Sequence, residues 1–339
     1  MSGPNDFTLS VLKGLESAAH RIEAERPLRL NNASRCLSFG VSFLDECLGG
    51  IFPNDLIILG AKTGFGKSQL ASLIAMHNIK AGKRVHFFAL EAEEYEIERR
   101  IKYQLIADRF FSLFGNTKLK APIRLNYMDW YYGKFDQELD QIEKEVEAEF
   151  DQFRNLITYY RQREFDIKEF QRITLSIKDE TDLMIVDHLH YFDYDDRDEN
   201  KAVKETVKGI RDLALITGKP VVLVAHVRKS DKKSKQLIPD LEDFHGSSDI
   251  GKIATKAITI APCYDENATS MKRTYFQVLK CRIDGSRAHL TALLAFNTQQ
   301  HRYERAYYLG RLSQDGTEFN PFKFNEMPDW AKNATASQN

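Results

Sequence analysis

LIILGAKTGFGKSQL, residues 56–70, reads as a strand, a glycine-rich loop and the start of a helix. The apolar run Leu56–Leu59 has the look of a buried strand. From Lys67 the period changes: Leu70, Leu73, Ile74 and His77 share one helical face, which predicts a helix to Lys80. Between them lies AKTGFGKS, Ala61 to Ser68. Strand, loop and helix in this order form a phosphate cradle. Gly64 and Gly66 let backbone N–H groups wrap the phosphates, and the helix start adds partial positive charge. Lys67 would reach the β and γ phosphates, and Ser68 would offer its hydroxyl to Mg2+. ATP and Mg2+ are therefore the expected ligands, with Ala61, Thr63, Gly64, Phe65, Gly66, Lys67, Ser68 and Gln69 as the binding stretch. The pattern GxxxxGK[ST] departs at one place, where Ala61 stands for the first glycine and Gly60 comes one position early.

A second strand, in DLMIVDHLH, delivers Asp187 at its end, which suits a carboxylate holding Mg2+ beside the loop. Hydrolysis also needs a group that orients or deprotonates water. Residue 188 is His, not an acid, so the candidate is Glu91, at the end of the strand VHFFAL. His226 follows the strand VVLVA at the sheet edge where open α/β sheets bind ligands, a position from which a γ-phosphate is sensed. His190 is a further candidate, for coupling this site to a neighbouring loop. In VLKCR, Lys280 and Arg282 point to one face by the period of two and form a candidate phosphate clamp.

Around these motifs the chain alternates strands and helices. Strands are predicted at Arg84–Leu90, Leu183–Val186, Val221–Ala225, Ala257–Ile260, Tyr275–Cys281 and Leu290–Phe296, and a helix at Ala202–Ile216 that ends at Gly218. This is an α/β pattern: a mostly parallel twisted sheet with helices on both faces. Residues 7–24 predict a short amphipathic helix through Leu12, Leu15, Ala19 and Ile22, stopping before Pro27. Residues 1–35 are thus an N-terminal helix and linker, 36–312 the nucleotide-binding α/β domain, and 313–339 a tail. A charge-rich insertion at about 118–175 predicts a helical hairpin with Leu139, Ile142, Val146, Phe150 and Phe153 in its stripe. The 339 residues carry 48 Lys and Arg against 49 Asp and Glu, a net charge of -1 that excludes a uniformly basic nucleic-acid binder. Four cysteines without a CxxC pair argue against a zinc site. No targeting or membrane segment is evident, so a cytoplasmic protein is expected.

Taken in order, AKTGFGKS, the strand ending ALE, IVDHLH, LVAHVRK, PDLEDFHGSSDIGKIA and LKCRIDG followed by FNTQQHRYE resemble the motif series of DnaB-type replicative helicases. The helicase halves of phage primase-helicases and of Twinkle are similar. The resemblance covers about residues 28–305 and implies a RecA-like core assembled as a ring, usually a hexamer, with ATP between subunits and single-stranded DNA in the channel. It makes Lys67, Ser68, Asp187 and Glu91 the cis site and His226 the sensor, while Lys280 and Arg282 act on the neighbour's ATP, Arg282 as the arginine finger. Two loops would face the channel. The first, DYDDRDEN, holds five acidic residues and one arginine between Asp193 and Glu199 and would repel phosphate. The second begins RKSDKKSK, and Arg228, Lys229, Lys232, Lys233 and Lys235, with backbone amides near Gly246, Ser247 and Ser248, would track a DNA backbone. A loader, a primase or another replication or mobile-element protein is an implied partner. Departures from the family are the roughly 35 residues that precede the core, where relatives carry a helical or primase domain, and histidines at 190 and 226 where DnaB uses glutamine. The alternative is a ring ATPase similar to KaiC and RadA that remodels a partner without unwinding DNA.

Overall fold

The computed structural model describes residues 18–62, 64–114, 125–134, 137–162, 164–194, 199–227, 236–244, 248–263 and 271–322. The chain divides into two compact units, Met1–Cys36 and Leu37–Asn339. In the first, helix α1 (Ala18–Leu30) runs through Pro27, and the Pro27 carbonyl accepts the Asn31 N–H at 3.2 Å. The predicted stop before Pro27 is therefore corrected. The turn around Pro27 is exposed, so the carbonyl that Pro27 leaves without a donor is open to water, and the interruption costs less than in a core. Leu12 and Leu15 lie outside the described residues.

The second unit is built on a ten-stranded sheet. Strand β1 (Leu56–Ala61) is buried at every residue and lies between two parallel neighbours, β5 (Val221–His226) and β6 (Lys256–Cys263). Beyond β5 come β4 (Leu183–Asp187), β2 (Val85–Ala89) and the edge strand β3 (Leu156–Tyr160), all parallel. The period of two sorts their side chains. Ile57, Leu59 and Ala61 enter one core with the helix α3 described below, whereas Leu56 and Ile58 enter another with Val207, Ile210 and Ala214. Both faces are covered, which is why these strands read as unbroken apolar runs rather than alternating ones. Helix α2 (Ser42–Leu48) precedes β1, and α3 (Lys67–Lys80) follows its loop, matching the predicted limits at both ends. Next come α4 (Glu96–Phe114), α5 (Tyr127–Tyr131), α6 (Gln137–Ala148), α7 (Ile167–Ile177), α8 (Glu199–Thr217) and α9 (Ser248–Ile253). Gly218 ends α8 with φ 70°, a conformation that costs glycine little.

The sheet is mostly parallel, as expected, from β3 to β6, and two other expectations change. Strands β7 (Met271–Cys281), β8 (Leu290–Asn297), β9 (Arg302–Leu312) and β10 (Phe319–Pro321) add an antiparallel wing, because their connections are too short for crossover helices. That wing also carries the sheet past residue 312, so a boundary drawn there cuts through it. The 118–175 insertion is not a plain helical hairpin. After α6, whose Leu139, Ile142 and Val146 are buried, the chain makes a 3-10 turn at Phe150–Asn155 and adds β3 to the sheet edge. The β-rich run LITYY was hidden beside a strong helical stripe.

Where β1 and β6 begin, Lys256 is wholly buried and its Nζ donates to Asp55 Oδ2 at 2.6 Å and to the Gly50 carbonyl at 2.7 Å. Asp55 is also buried and accepts from Thr255 Oγ1 at 2.7 Å and from the Phe52 N–H at 2.9 Å. Removing one charge strands the other in a dry site. Lys256→Ala should lower stability by about 3–5 kcal/mol in urea unfolding, and a loss below about 1 kcal/mol would show that the pair is not a structural tie.

Candidate nucleotide-binding site

The carboxyl ends of β1, β5, β4 and β2 lie side by side in that order, so residues from four distant segments form one row. Ala61 pairs in register with His226, and Ala89 with Asp187. Sheet pairing continues one residue further, with the Leu90 N–H donating to the Asp187 carbonyl at 2.8 Å, and this seats Glu91 beside Asp187.

Gly64 and Gly66 adopt φ 83° and 82°, and a Cβ on either would meet nothing within 4 Å. These two glycines are therefore needed for backbone conformation. Gly60 is needed for room, since a Cβ there would lie 2.4 Å from the Phe244 ring. Ala61 is still part of β1, with its methyl in the core. The displaced glycine is thereby explained: the position before the loop packs against Phe244. Thr63 lies outside the described residues.

Lys67 is buried, and its Nζ reaches the Ala61 carbonyl at 3.2 Å, the Lys62 carbonyl at 3.1 Å and His226 Nδ1 at 3.1 Å. Burial lowers the pKa of its ammonium, against the attraction of Asp187 and Glu91. Ser68 donates a hydrogen bond to the buried Asp187 carboxylate. Burial pushes Asp187 up to about 6; nearby Glu91 adds to the rise, while the Ser68 bond and the cations Lys67 and Arg100 oppose it. Its Oδ1 is buried without a hydrogen-bond partner. A carboxylate with a spare buried oxygen next to a hydroxyl is an oxygen donor set that fits Mg2+. Gln69 is held by its neighbours: its Nε2 donates to the His301 carbonyl at 3.2 Å, and its Oε1 accepts from Arg100 at 3.4 Å.

His188, which the sequence marked only as not being an acid, is buried at the middle of the row. Its Nε2 lies 3.0 Å from Glu91 Oε2 and 2.8 Å from His226 Nε2. Burial, then the neighbouring His226, His190 and Lys67, push its pKa down to about 2, so its contact with Glu91 is a hydrogen bond of a neutral ring. The donor atoms of Glu91, His188 and His226 lie within 4.8 Å of one another, near enough for a cation. However, His188 Nδ1 accepts the His190 N–H at 3.2 Å, which leaves the ring hydrogen on Nε2 and no lone pair there for a cation. The His190 ring stands 5.6 Å from those of both His188 and His226.

On its other side the loop opens into a cavity of about 440 Å3 lined by Gly64, Phe65, Gly66 and Gln69 and by Arg273, Phe296, His301 and Tyr303 from the antiparallel wing. That volume suits a base and sugar. Phe296, His301 and Tyr303 fall within FNTQQHRYE, to which the sequence gave no role, and Arg273 was missed, because more than 200 positions separate them from the loop.

Lys280 and Arg282 do not join this site. Strand β7 runs antiparallel to β6, so Ala257 faces Lys280, and the Arg282 N–H bonds the Thr255 carbonyl at 2.9 Å where β6 begins. Six residues of β1 separate that level from the phosphate loop, about 20 Å of strand. There Lys280 Nζ meets the Gly251 and Lys252 carbonyls at 2.6 and 2.9 Å, and Arg282 meets that of Ile253 at 3.4 Å, all at the end of α9. Burial and then Arg282 lower the pKa of Lys280. Burial and then Arg282 also lower that of Arg211, a cation the sequence did not single out. Among the described residues none of these three pairs with a carboxylate.

Residues 36–305 match the family model of the DnaB-like helicase C terminal domain. The chain belongs to that family. A stretch of 127 residues, 37% of the chain, is 29% identical to the replicative DNA helicase DnaB of Pasteurella multocida (strain Pm70) and spans about a quarter, 26%, of that protein. The fold is shared with a DnaB-like replicative helicase whose structure was determined with its interactions with primase (TM-score 0.61, 16% identity, 89% of this chain and 67% of that one). It is shared also with the ATPase domain of G40P (TM-score 0.63, 15% identity, 90% of this chain and 100% of that one). The residues expected to contact DNA, Arg228, Lys229, Lys232, Lys233, Lys235, Gly246 and Ser247, and most of the acidic loop, lie outside the described residues. Asp193, at that loop's start, pairs with Arg161 at 2.6 Å. No helix among the described residues is long and apolar enough to cross a membrane.

Asp187 and Ser68 should make nucleotide binding metal-dependent. With wild-type protein, EDTA should weaken binding of a fluorescent ADP several-fold; with Asp187→Asn, EDTA should change little. An equal response of both proteins to EDTA would mean that Asp187 is not a metal ligand.

Proposed function

We propose that this chain is the motor of a DnaB-type ring: it hydrolyses MgATP between adjacent subunits and moves on single-stranded DNA. The observation that carries this reading is the separation of the two charged sites. A phosphate loop lies at one edge of the sheet, and cations without carboxylate partners lie about 20 Å away at the other. In a head-to-tail ring the second edge of one copy meets the first edge of the next. Neither edge forms a complete phosphoryl-transfer site alone.

In this reading Lys67 and the amides around Gly64–Ser68 hold the β and γ phosphates. Ser68 and Asp187 hold Mg2+, which when bound supplies charge neutralisation across the phosphate oxygens. Glu91 orients the attacking water and takes its proton, and His226 contacts the γ-phosphate. The base and sugar occupy the cavity beside Phe65, against Tyr303 and Arg273. Lys280 and Arg282 reach the neighbour's γ-phosphate, where a cation of this kind stabilises the transition-state charge. The basic stretch Arg228–Lys235 lines the channel, together with the amides of Gly246 and Ser247, and binds the DNA backbone without reading sequence. Six subunits, a cytoplasmic location, and contact with a loader or primase follow the family pattern.

ATP turnover should rise when a dT oligomer is added, and a forked duplex should be unwound. Turnover that ignores DNA, with no DNA binding at low salt, would favour a ring ATPase acting on a protein. Lys232→Ala with Lys233→Ala should lower the salt slope of DNA binding by about 0.7 per lost phosphate contact, and an unchanged slope would place the DNA elsewhere. Arg282→Ala should cut turnover by about 10³-fold or more, and mixing it with Lys67→Ala subunits should restore part of the activity, because some interfaces then pair two intact halves. Normal turnover by Arg282→Ala alone would remove it as the finger.

A further inference from the structure

The row of side chains along the sheet edge is continuous. Lys67 touches His226 at 3.1 Å, His226 touches His188 at 2.8 Å, and His188 touches Glu91 at 3.0 Å. One member, His188, is fixed from all sides. Its ring is buried, its Nδ1 accepts the His190 N–H, and its face meets the Tyr191 ring at 4.8 Å and 87°. Glu91 is the opposite case. Its side chain is 42% exposed, and among the described residues its carboxylate has His188 as its hydrogen-bond partner. An exposed glutamate samples several rotamers, and one rigid donor selects among them.

We propose that His188 is a positioning residue that links the γ-phosphate sensor His226 to the water-activating carboxylate of Glu91. The proposal rests on the ATPase reading above. The His188 ring has a single hydrogen on Nε2, and that atom lies 3.0 Å from the acceptor Glu91 Oε2 and 2.8 Å from His226 Nε2. The Lys67 ammonium can only donate to His226 Nδ1, so a neutral His226 carries its hydrogen on Nε2, facing the N–H of His188. The two contacts compete, because His188 cannot align on Glu91 while the His226 N–H is set against it. When His226 turns that N–H to donate to a γ-phosphate oxygen, the His188 hydrogen is left to Glu91, which is then held in one rotamer beside the phosphate. When the γ-phosphate is gone, His226 returns and Glu91 loosens. Glu91 is thus held firmly only with a triphosphate in place, and no proton need pass along the row. The strand order makes the link possible, since β4 lies between β5 and β2 and only a residue just after Asp187 can touch both neighbours.

The test compares wild type, His188→Phe and His188→Gln in the full chain, each also combined with Glu91→Gln. Absence of ATP hydrolysis by wild type would sink the ATPase reading itself, a result separate from this proposal. With an active wild type, His188→Phe should lower kcat by about 100-fold, the scale of a misplaced catalytic group, with KM for ATP and the Kd of a fluorescent ADP within about two-fold. His188→Gln, whose amide can donate to Glu91, should recover about ten-fold of that loss. In the Glu91→Gln background, adding His188→Phe should change the residual rate by less than about two-fold, because the residue through which it acts is already gone. Three results would overturn the proposal: an equal loss in both backgrounds, a change confined to KM, or an unchanged kcat. If His188→Phe fails to bind the fluorescent ADP, His188→Gln carries the comparison: the expected result is a partial kcat loss that disappears in the Glu91→Gln background, and an undiminished loss there overturns the proposal.

Discussion

β1 has neither a free face nor a free edge. Its side chains enter two separate cores, and its backbone is bonded to β5 on one side and β6 on the other. A strand held in this way leaves the start of the phosphate loop little room to shift, because close-packed interiors yield little. The rest follows from what lies next to it. On the β5 side, three more parallel strands bring His226, Asp187 with His188, and Glu91 to the same edge. On the β6 side, the chain turns back through β7 and carries Lys280 and Arg282 to the opposite edge. One reversal of strand direction thereby places the two groups of charges on two surfaces, and in the proposed ring a neighbouring copy brings them together.

Much of this was legible in the sequence, for an identifiable reason. Strands buried on both faces are continuous apolar runs, so LIIL, VHFFA, LMIVD and VVLVA stand out, and α3 follows its loop with the predicted limits. Residues at the ends of such strands were readable as a site because parallel strands put their carboxyl ends on one edge. Gly64, Gly66, Lys67, Ser68, Asp187, Glu91 and His226 were singled out on that ground together with the loop pattern, and the fold brings Lys67, Ser68, Asp187, Glu91 and His226 into one row.

What was not legible depends on contacts across the fold. β3 is an edge strand of mixed burial, so it lacks the continuous apolar signature and follows a helix with a strong stripe. Gly60 could be understood only once Phe244, 184 positions later, was seen against it. His188 looked like a gap in an acidic motif, and its place in the row emerges only when β4 is set between β5 and β2. Arg211 belongs to the second charged edge because α8 ends near the start of β1, where its guanidinium bonds the Asn54 carbonyl. The near-zero net charge is of the same kind. It is a sum over an acidic insertion, an acidic loop and the basic stretch at Arg228–Lys235, and only their arrangement in space gives each a meaning.

The dependence of catalysis on assembly can be read from dilution. Specific ATPase activity should be followed over a wide range of protein concentration at fixed MgATP, with mass photometry on the same samples. The account predicts that turnover per subunit falls in step with the loss of oligomers and approaches zero where monomers dominate. Full turnover per subunit from monomers would contradict it, because Lys67 and Arg282 of one chain would then have to serve the same ATP.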